Sequence, residues 1–184
     1  GDAALEVGPT LRVRDFLSPY RGARVYNPPL VNSAGTLVGN HGDRLMVLGA
    51  ERLYRSLDIE LVDSGDDADL IAVGGSGGMV EGMGAIPAVL KRCCQQWPDK
   101  PLVVLPSTYH YPTRPFAQEV GERSGPVTLF CREPFSYRHR RQDHQLPANC
   151  DIQLDHDMAF ELADSPFVER LTAMEPRHVL LVER

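Results

Sequence analysis

The sequence predicts an α/β fold in which helices cover a Rossmann-like, doubly wound and mostly parallel sheet. Short apolar runs alternate along the chain with stretches of helical periodicity, a pattern typical of parallel strands joined by helical crossovers. Several runs are apolar at every position, as expected of strands buried on both faces. Glycine-rich and polar segments follow the runs, and in such sheets the ligand-binding loops lie after the strands.

Seven short segments have the composition of strands. In chain order they cover residues 24–26, 59–63, 70–73, 102–105, 127–131, 151–154 and 179–182. The segments 70–73 and 102–105 contain only apolar residues, which predicts burial on both faces of the sheet.

Two apolar stripes with helical spacing predict the main helices. The first follows Gly42-Asp43 and consists of Met46, Ala50, Leu53 and Leu57. The second has Pro87 in its first turn, ends before Pro98, and consists of Met83, Ile86, Val89, Leu90, Cys93 and Trp97. Pro115 and Pro134 mark the starts of two further helices.

Length and charge exclude several classes of protein. A chain of 184 residues fits one domain with a real core. Its net charge of -6 argues against nucleic acid as a partner, because neutralising phosphates requires clustered cations. Most of one local basic run is expected on the outer, solvated face of a helix; the run consists of Arg132, Arg138, His139, Arg140 and Arg141.

The cysteines predict buried thiols in a reducing compartment. Cys93, Cys94, Cys131 and Cys150 have no CxxC spacing, so neither a disulfide framework nor a metal site is expected. No apolar stretch approaches the roughly 20 residues of a membrane span, and the start lacks a signal pattern. The expected location is the cytoplasm, including the inner face of the membrane, and the pattern sets no oligomeric state.

The segment Gly39-Asn40-His41-Gly42-Asp43 comes just before the first predicted helix. Its glycines permit a tight turn, and its N–H groups at the helix start suit a phosphate or carboxylate. Asn40 offers a donor and an acceptor, while Asp43 can cap the helix or orient a substrate hydroxyl. A plain turn with an N-cap explains the segment equally well.

The segment Gly74-Gly75-Ser76-Gly77-Gly78 directly follows the strand 70–73 and lets a ligand approach bare backbone. It does not fit a dinucleotide fingerprint, because Val80 occupies the third glycine position. It does fit GxSxG, so a serine hydrolase with Ser76 as nucleophile is an alternative. The acid and base would then come from Asp151, Asp157, His156 or His178. A non-catalytic sugar- or nucleotide-binding module is a third interpretation.

Arg132 ends the strand 127–131, where a guanidinium can bind a carboxylate or phosphate with two hydrogen bonds. The alternative is a structural ion pair with Glu133 or Asp157, and Ser136 can cap the next helix or contact the ligand. In Asp155-His156-Asp157, adjacent side chains on an extended segment point to opposite faces. These three residues therefore cannot all converge on one metal or substrate.

Taken in order, these segments resemble the polysaccharide pyruvyltransferase family between Val38 and Leu162. The resemblance has two departures from the family pattern: Ser107-Thr108 stands where Gln-Ser is usual, and Met158 replaces a proline. The motifs that carry it are Gly39-Asn40-His41-Gly42-Asp43, Asp69-Leu70-Ile71-Ala72-Val73-Gly74-Gly75, Leu105-Pro106-Ser107-Thr108, Arg132-Glu133-Pro134-Phe135-Ser136 and Asp157-Met158-Ala159-Phe160-Glu161-Leu162.

The resemblance implies a transferase that moves pyruvate from phosphoenolpyruvate to a pair of sugar hydroxyls, forming a ketal in an exopolysaccharide or cell-wall polymer. Phosphoenolpyruvate is the donor substrate, a saccharide or lipid-linked saccharide is the acceptor, and no separate cofactor or metal is expected. The family has two lobes of the GT-B type. Residues 1–177 correspond to the N-terminal lobe and 178–184 to the start of a second lobe, whose Arg-x-His segment serves the donor.

The resemblance also assigns roles to residues of this lobe. Asp43, Arg132 and Asp157 are the expected catalytic residues. The expected substrate-binding residues are Gly39, Asn40, Gly42, Gly74, Gly75, Ser107, Glu133 and Ser136. A lone first lobe is expected to bind weakly and to turn over poorly.

Overall fold

The computed structural model describes residues 10–29, 39–82 and 85–174. The strands in these ranges are β1 Arg24–Tyr26, β2 Glu60–Val62, β3 Leu70–Val73, β4 Met79–Val80, β5 Leu102–Ser107, β6 Tyr109–His110, β7 Val127–Cys131 and β8 Cys150–Leu154. The α-helices are α1 Val13–Leu17, α2 His41–Ser56, α3 Ala85–Gln96, α4 Ala117–Val120, α5 Pro134–Arg141 and α6 Pro166–Thr172. Two short 3-10 helices cover Ser18–Tyr20 and Met158–Leu162.

Six strands form one parallel sheet in the order β2-β1-β3-β5-β7-β8. Parallel pairing places Val25 opposite Leu70, Ile71 opposite Leu102 and Leu129 opposite Ile152. From β1 the chain crosses to β2, at one edge of the sheet. From β3 it crosses in the opposite direction, to β5, β7 and β8 in turn. Because such crossovers are right-handed, the two directions put helices on opposite faces of the sheet. The predicted doubly wound α/β fold is therefore confirmed.

The two faces of the sheet carry separate hydrophobic cores. On one face, Leu70 and Ala72 of β3 pack with residues of α1, α2 and the 3-10 helix Met158–Leu162. On the other face, Ile71 and Val73 pack with residues of α3, α4 and α5. Since all four β3 side chains are fully buried, this strand has the two-sided burial that its apolar composition predicts.

Helix α2 and the 3-10 helix Met158–Leu162 lie in close contact. A Cβ on Gly49 would collide with the carbonyl oxygen of Met158, so only glycine permits this approach. Arg52 on the same helix donates to the carbonyl oxygens of Glu161 at 2.9 Å and Asp164 at 3.1 Å. These contacts hold the segment after β8 beside the C-terminal half of α2.

The structure adds detail to the predicted elements. Strand β5 extends through Ser107, and β4 and β6, which were not predicted, form a small parallel pair of their own. The helix predicted at Pro115 is only the four-residue α4, which ends at Gly121 with a φ of 64°. The expectations for Val38, Met83 and residues 178–184, including the strand 179–182, lie outside the described residues.

The expectation that most of the basic run lies on a solvated helix face is confirmed, because Arg138, His139 and Arg141 are exposed. Arg140 is the exception on this helix, because its side chain is buried. Its guanidinium pairs with Asp143 at 2.9 Å and stacks over the ring of Phe116. The acid and the aromatic face partly compensate the buried charge of this long side chain. In the described ranges, no helix is long and apolar enough to cross a membrane.

Candidate functional site

A cavity of about 680 Å³ lies at the carboxyl edge of the parallel sheet. This is the edge at which doubly wound sheets bind their ligands. Five segments contribute to its wall: the start of α2, the glycine loop after β3, the start of α3, Arg132 after β7, and the segment after β8. The volume lies within the range of small-molecule sites.

Arg132 is held from two sides in this cavity. Its Nε donates to Thr108 Oγ1 at 2.8 Å, and its Nη1 donates to Asp157 Oδ2 at 2.9 Å. Its Nη2 lies on the side of Gly77, where a Cβ would come within 2.9 Å of it. The guanidinium therefore has a fixed plane, with Nη2 directed along the glycine loop.

Asp157 combines a structural contact with the ion pair. Its Oδ1 accepts from the N–H of Ala159 at 2.9 Å and caps the 3-10 helix Met158–Leu162, while Oδ2 pairs with Arg132. The ion pair that the sequence left open as an alternative is thus formed. The arginine and aspartate side chains remain 29% and 21% exposed, so both are accessible from the cavity.

The turn before α2 is a capping box. Asn40 Oδ1 accepts from the N–H groups of Gly42 at 2.7 Å and Asp43 at 3.2 Å, and the Asn40 N–H donates to Asp43 Oδ2 at 2.7 Å. Several amides predicted to face an anion are therefore used within the turn itself. In the described part of the chain, Asn40 Nδ2 and Asp43 Oδ1 make no hydrogen bond, and both side chains line the cavity.

The glycine loop after β3 is fixed by the loop after β5. The Ser76 N–H donates to Ser107 Oγ at 3.2 Å, and the Thr108 N–H donates to the Ser76 carbonyl at 3.0 Å. Ser76 Oγ accepts from Gly78 N–H at 2.9 Å, and the loop continues into β4 rather than into a helix. None of the histidines within the described ranges lines the cavity. The serine hydrolase alternative therefore gains no support from this geometry, and His178 lies outside the described residues.

The structure brings together six of the eleven predicted site residues. Those that line the cavity are Gly39, Asn40, Gly42, Asp43, Arg132 and Asp157. The other five lie outside its lining, because their polar groups or backbone build the surrounding loops; they are Gly74, Gly75, Ser107, Glu133 and Ser136.

The contacts of four of these residues explain their position. A Cβ on Gly75 would meet the Pro106 carbonyl oxygen at 2.6 Å, so this glycine serves a close approach of two loops. Ser107 Oγ donates to the Leu105 carbonyl at 2.9 Å. Glu133 caps α5 by accepting from the Ser136 N–H, and Ser136 Oγ accepts from Tyr109 N–H at 2.8 Å.

The sequence interpretation missed three residues of the cavity region. Thr108 orients Arg132, Gly77 borders the guanidinium, and Phe160, a residue that is 65% exposed, lines the cavity. The available signals were weak: a hydroxyl residue in the loop after β5, one glycine among four, and one apolar residue in the last motif.

The thiol of Cys131, next to the site in the sequence, is unreactive at neutral pH. Burial raises the pKa of Cys131, the residue before Arg132, far above the ordinary value of a thiol, and the Glu133 carboxylate adds to this shift. Cys131 therefore stays protonated at neutral pH and is no nucleophile.

Comparisons with known proteins bear on the fold. No family model matches the sequence, and no curated protein matches it. A crystal structure of an uncharacterized protein from Klebsiella pneumoniae subsp. pneumoniae superposes with a TM-score of 0.62 at 17% sequence identity. The chain has a Rossmann-like α/β fold. The match covers 84% of this chain and 57% of that protein, so the chain spans little more than half of its length.

Proposed function

We propose that the chain is the N-terminal lobe of a two-lobed, GT-B-type pyruvyltransferase that moves pyruvate from phosphoenolpyruvate to a sugar. The observation that carries this proposal is the clamped Arg132 guanidinium in a cavity at the carboxyl edge of the sheet. Its fixed plane suits two parallel hydrogen bonds to a carboxylate or phosphate. The ordered series of five motifs supplies the reaction class.

The reaction forms a ketal and releases phosphate. A proton adds to the methylene carbon of phosphoenolpyruvate, and positive charge develops at the carbon that bears the phosphate. One sugar hydroxyl adds to that carbon and loses its proton. The bond to phosphate then breaks, the second hydroxyl adds and loses its proton, and the ketal and inorganic phosphate leave.

The residues of this lobe take separate parts in the proposed reaction. Arg132 binds the donor carboxylate or phosphate and stabilises its charge through the reaction. Because Asp157 already pairs with Arg132, Asp43 has the freer carboxylate oxygen for orienting an acceptor hydroxyl. Gly77 leaves room beside the guanidinium for the donor.

Local charge explains why a second lobe belongs to the proposal. Within the cavity lining, Arg132 is accompanied by two carboxylates, Asp43 and Asp157. One cation beside two anions does not attract a donor that carries two or more negative charges. Further cations and the general acid are therefore assigned to the second lobe. The proposed reaction takes place on the cytoplasmic side of the membrane, where lipid-linked acceptors are made.

The test uses the full-length protein with carboxyl-labelled phosphoenolpyruvate and a panel of aryl hexosides. We expect label in an acid-labile product and an equal amount of inorganic phosphate. Arg132→Ala should lower kcat/KM by about 10²-fold, because two charge-assisted hydrogen bonds contribute roughly 3 kcal/mol. Arg138→Ala, an exposed arginine on α5, should leave kcat/KM unchanged.

Three outcomes would overturn the proposal. Phosphate release without label in the hexoside would indicate a phosphatase, and hexoside binding without any turnover of the full-length protein would indicate a non-catalytic module. Covalent labelling of Ser76 by a serine-directed probe would instead favour a hydrolase.

A further inference from the structure

The cavity is larger than the donor requires. A three-carbon phosphate ester occupies only a small part of about 680 Å³, a volume that fits a considerably larger ligand. The side chain of Arg132 accounts for one end of the wall. The lining also includes apolar side chains, among them Leu45, Met46, Ile86, Ala159 and Phe160.

Phe160 is the most exposed of these apolar side chains. The residue is 65% exposed, so most of the free energy available from burying a phenylalanine side chain is not realised. The ring stands edge-to-face to His156, with 5.8 Å between ring centroids. His156 Nδ1 lies 3.2 Å from Asp155 Oδ1, and Asp155 Oδ2 accepts from Val13 N–H at 2.8 Å. These contacts connect the Phe160 ring, through His156 and Asp155, to the start of α1.

Two polar groups with no hydrogen bond in the described residues line the same cavity. Asn40 offers the donor Nδ2, and Asp43 offers the acceptor Oδ1. Asn40 Oδ1 and Asp43 Oδ2 are fixed in the capping box, so Asn40 Nδ2 and Asp43 Oδ1 have defined positions. The cavity therefore combines an exposed aromatic ring with a preoriented donor and acceptor.

We infer that Phe160, Asn40 and Asp43 form an acceptor subsite for a pyranose ring. The C–H face of the sugar lies on the Phe160 ring, and neighbouring hydroxyls bond to Asn40 and Asp43. A pyranose has both an apolar face and adjacent hydroxyls, which an acyl chain lacks. The assignment of this subsite to the acceptor rests on the proposed pyruvyl transfer, whereas the inference that the subsite binds a sugar does not.

The binding test measures methyl hexopyranosides on the full-length protein by saturation-transfer NMR and calorimetry. Phe160→Ala should weaken hexoside binding about tenfold and leave the dissociation constant of phosphoenolpyruvate unchanged. Phe160→Tyr keeps the aromatic face and should restore binding. Phe135→Ala provides a matched control, because Phe135 is 52% exposed on α5 and lies outside the cavity lining.

Transfer kinetics separate this inference from the proposed function. If labelled pyruvate reaches the hexosides, Phe160→Ala should raise the acceptor KM about tenfold, and an unchanged acceptor KM would overturn the subsite alone. If no transfer occurs but hexosides bind in a Phe160-dependent manner, the sugar subsite stands and the pyruvyltransferase proposal falls. Phe160-dependent binding of adenosine without any hexoside binding would overturn the subsite.

Discussion

Arg132 Nη1 lies 2.9 Å from Asp157 Oδ2, so the cation predicted to bind the donor is already part of an ion pair. Both side chains remain partly exposed, and ion pairs in contact with solvent contribute little to stability, typically below about 1 kcal/mol. The main effect of the pair is geometric. Together with Thr108, Asp157 sets the plane of the guanidinium.

Gly77→Ala should impair donor binding without unfolding the protein. The new Cβ would come within 2.9 Å of Arg132 Nη2, at the far end of a flexible side chain that can move away. We expect phosphoenolpyruvate affinity to fall about tenfold, while the free energy of unfolding changes by less than about 0.5 kcal/mol. Gly74→Ala, where a Cβ meets nothing within 4 Å, is the control. Equal losses of affinity in both variants would refute the assigned position of the guanidinium.

Thr108→Ala should loosen Arg132 by removing the acceptor for its Nε, which lies 2.8 Å from Thr108 Oγ1. A hydrogen bond between a charged donor and a neutral acceptor contributes roughly 1.5 kcal/mol, so the affinity for phosphoenolpyruvate should fall about tenfold. Thr108→Ser retains the hydroxyl and should restore affinity in the same calorimetric titration. A serine variant as weak as the alanine variant would show that the methyl group matters rather than the hydrogen bond.

Gly49→Ala should destabilise the protein, although alanine favours helices over glycine by about 1 kcal/mol. The added Cβ would collide with the Met158 backbone carbonyl, which cannot move without displacing the 3-10 helix that carries Phe160. We expect a net loss of about 2 kcal/mol or more in urea unfolding. A stability equal to or above that of the parent would mean that α2 and this 3-10 helix do not pack as described.

The thiols of Cys93, which is buried, and of Cys150, which is half-buried, should react slowly with alkylating reagents. Burial raises the pKa of Cys93 and of Cys150 to about 11. The thiolate is the reactive form, so the alkylation rate should keep rising with pH beyond 9, the ordinary thiol pKa. The unfolded chain loses these protons first, so stability should decline between pH 9 and 11. Alkylation rates that level off near pH 9 would contradict burial.

Much of the fold follows from local sequence patterns. The boundaries of β3 and β7 agree with their apolar runs, and the stripe of Met46, Ala50, Leu53 and Leu57 gives a buried face along α2 and just beyond its end. The β4–β6 pair could not be predicted, because two-residue strands have no measurable periodicity. Their pairing follows instead from the contact between the loops after β3 and β5.

The site was predicted at the level of segments and less well at the level of side chains. Parallel strands place the residues that follow them at one edge, which is why Asn40, Arg132 and Asp157 share a cavity. The sequence does not show whether a loop side chain faces the cavity or a neighbouring loop. Ser107 and Ser136, for example, satisfy backbone groups of adjacent segments instead. Thr108 was missed for the same reason.

The strongest test of the donor site is the dissociation constant of phosphoenolpyruvate for the full-length protein and its Arg132→Ala and Arg138→Ala variants. The proposed site predicts that Arg132→Ala weakens binding by at least tenfold, while Arg138→Ala binds like the parent. Equal affinities for all three proteins would show that the cavity at the carboxyl edge does not hold the donor.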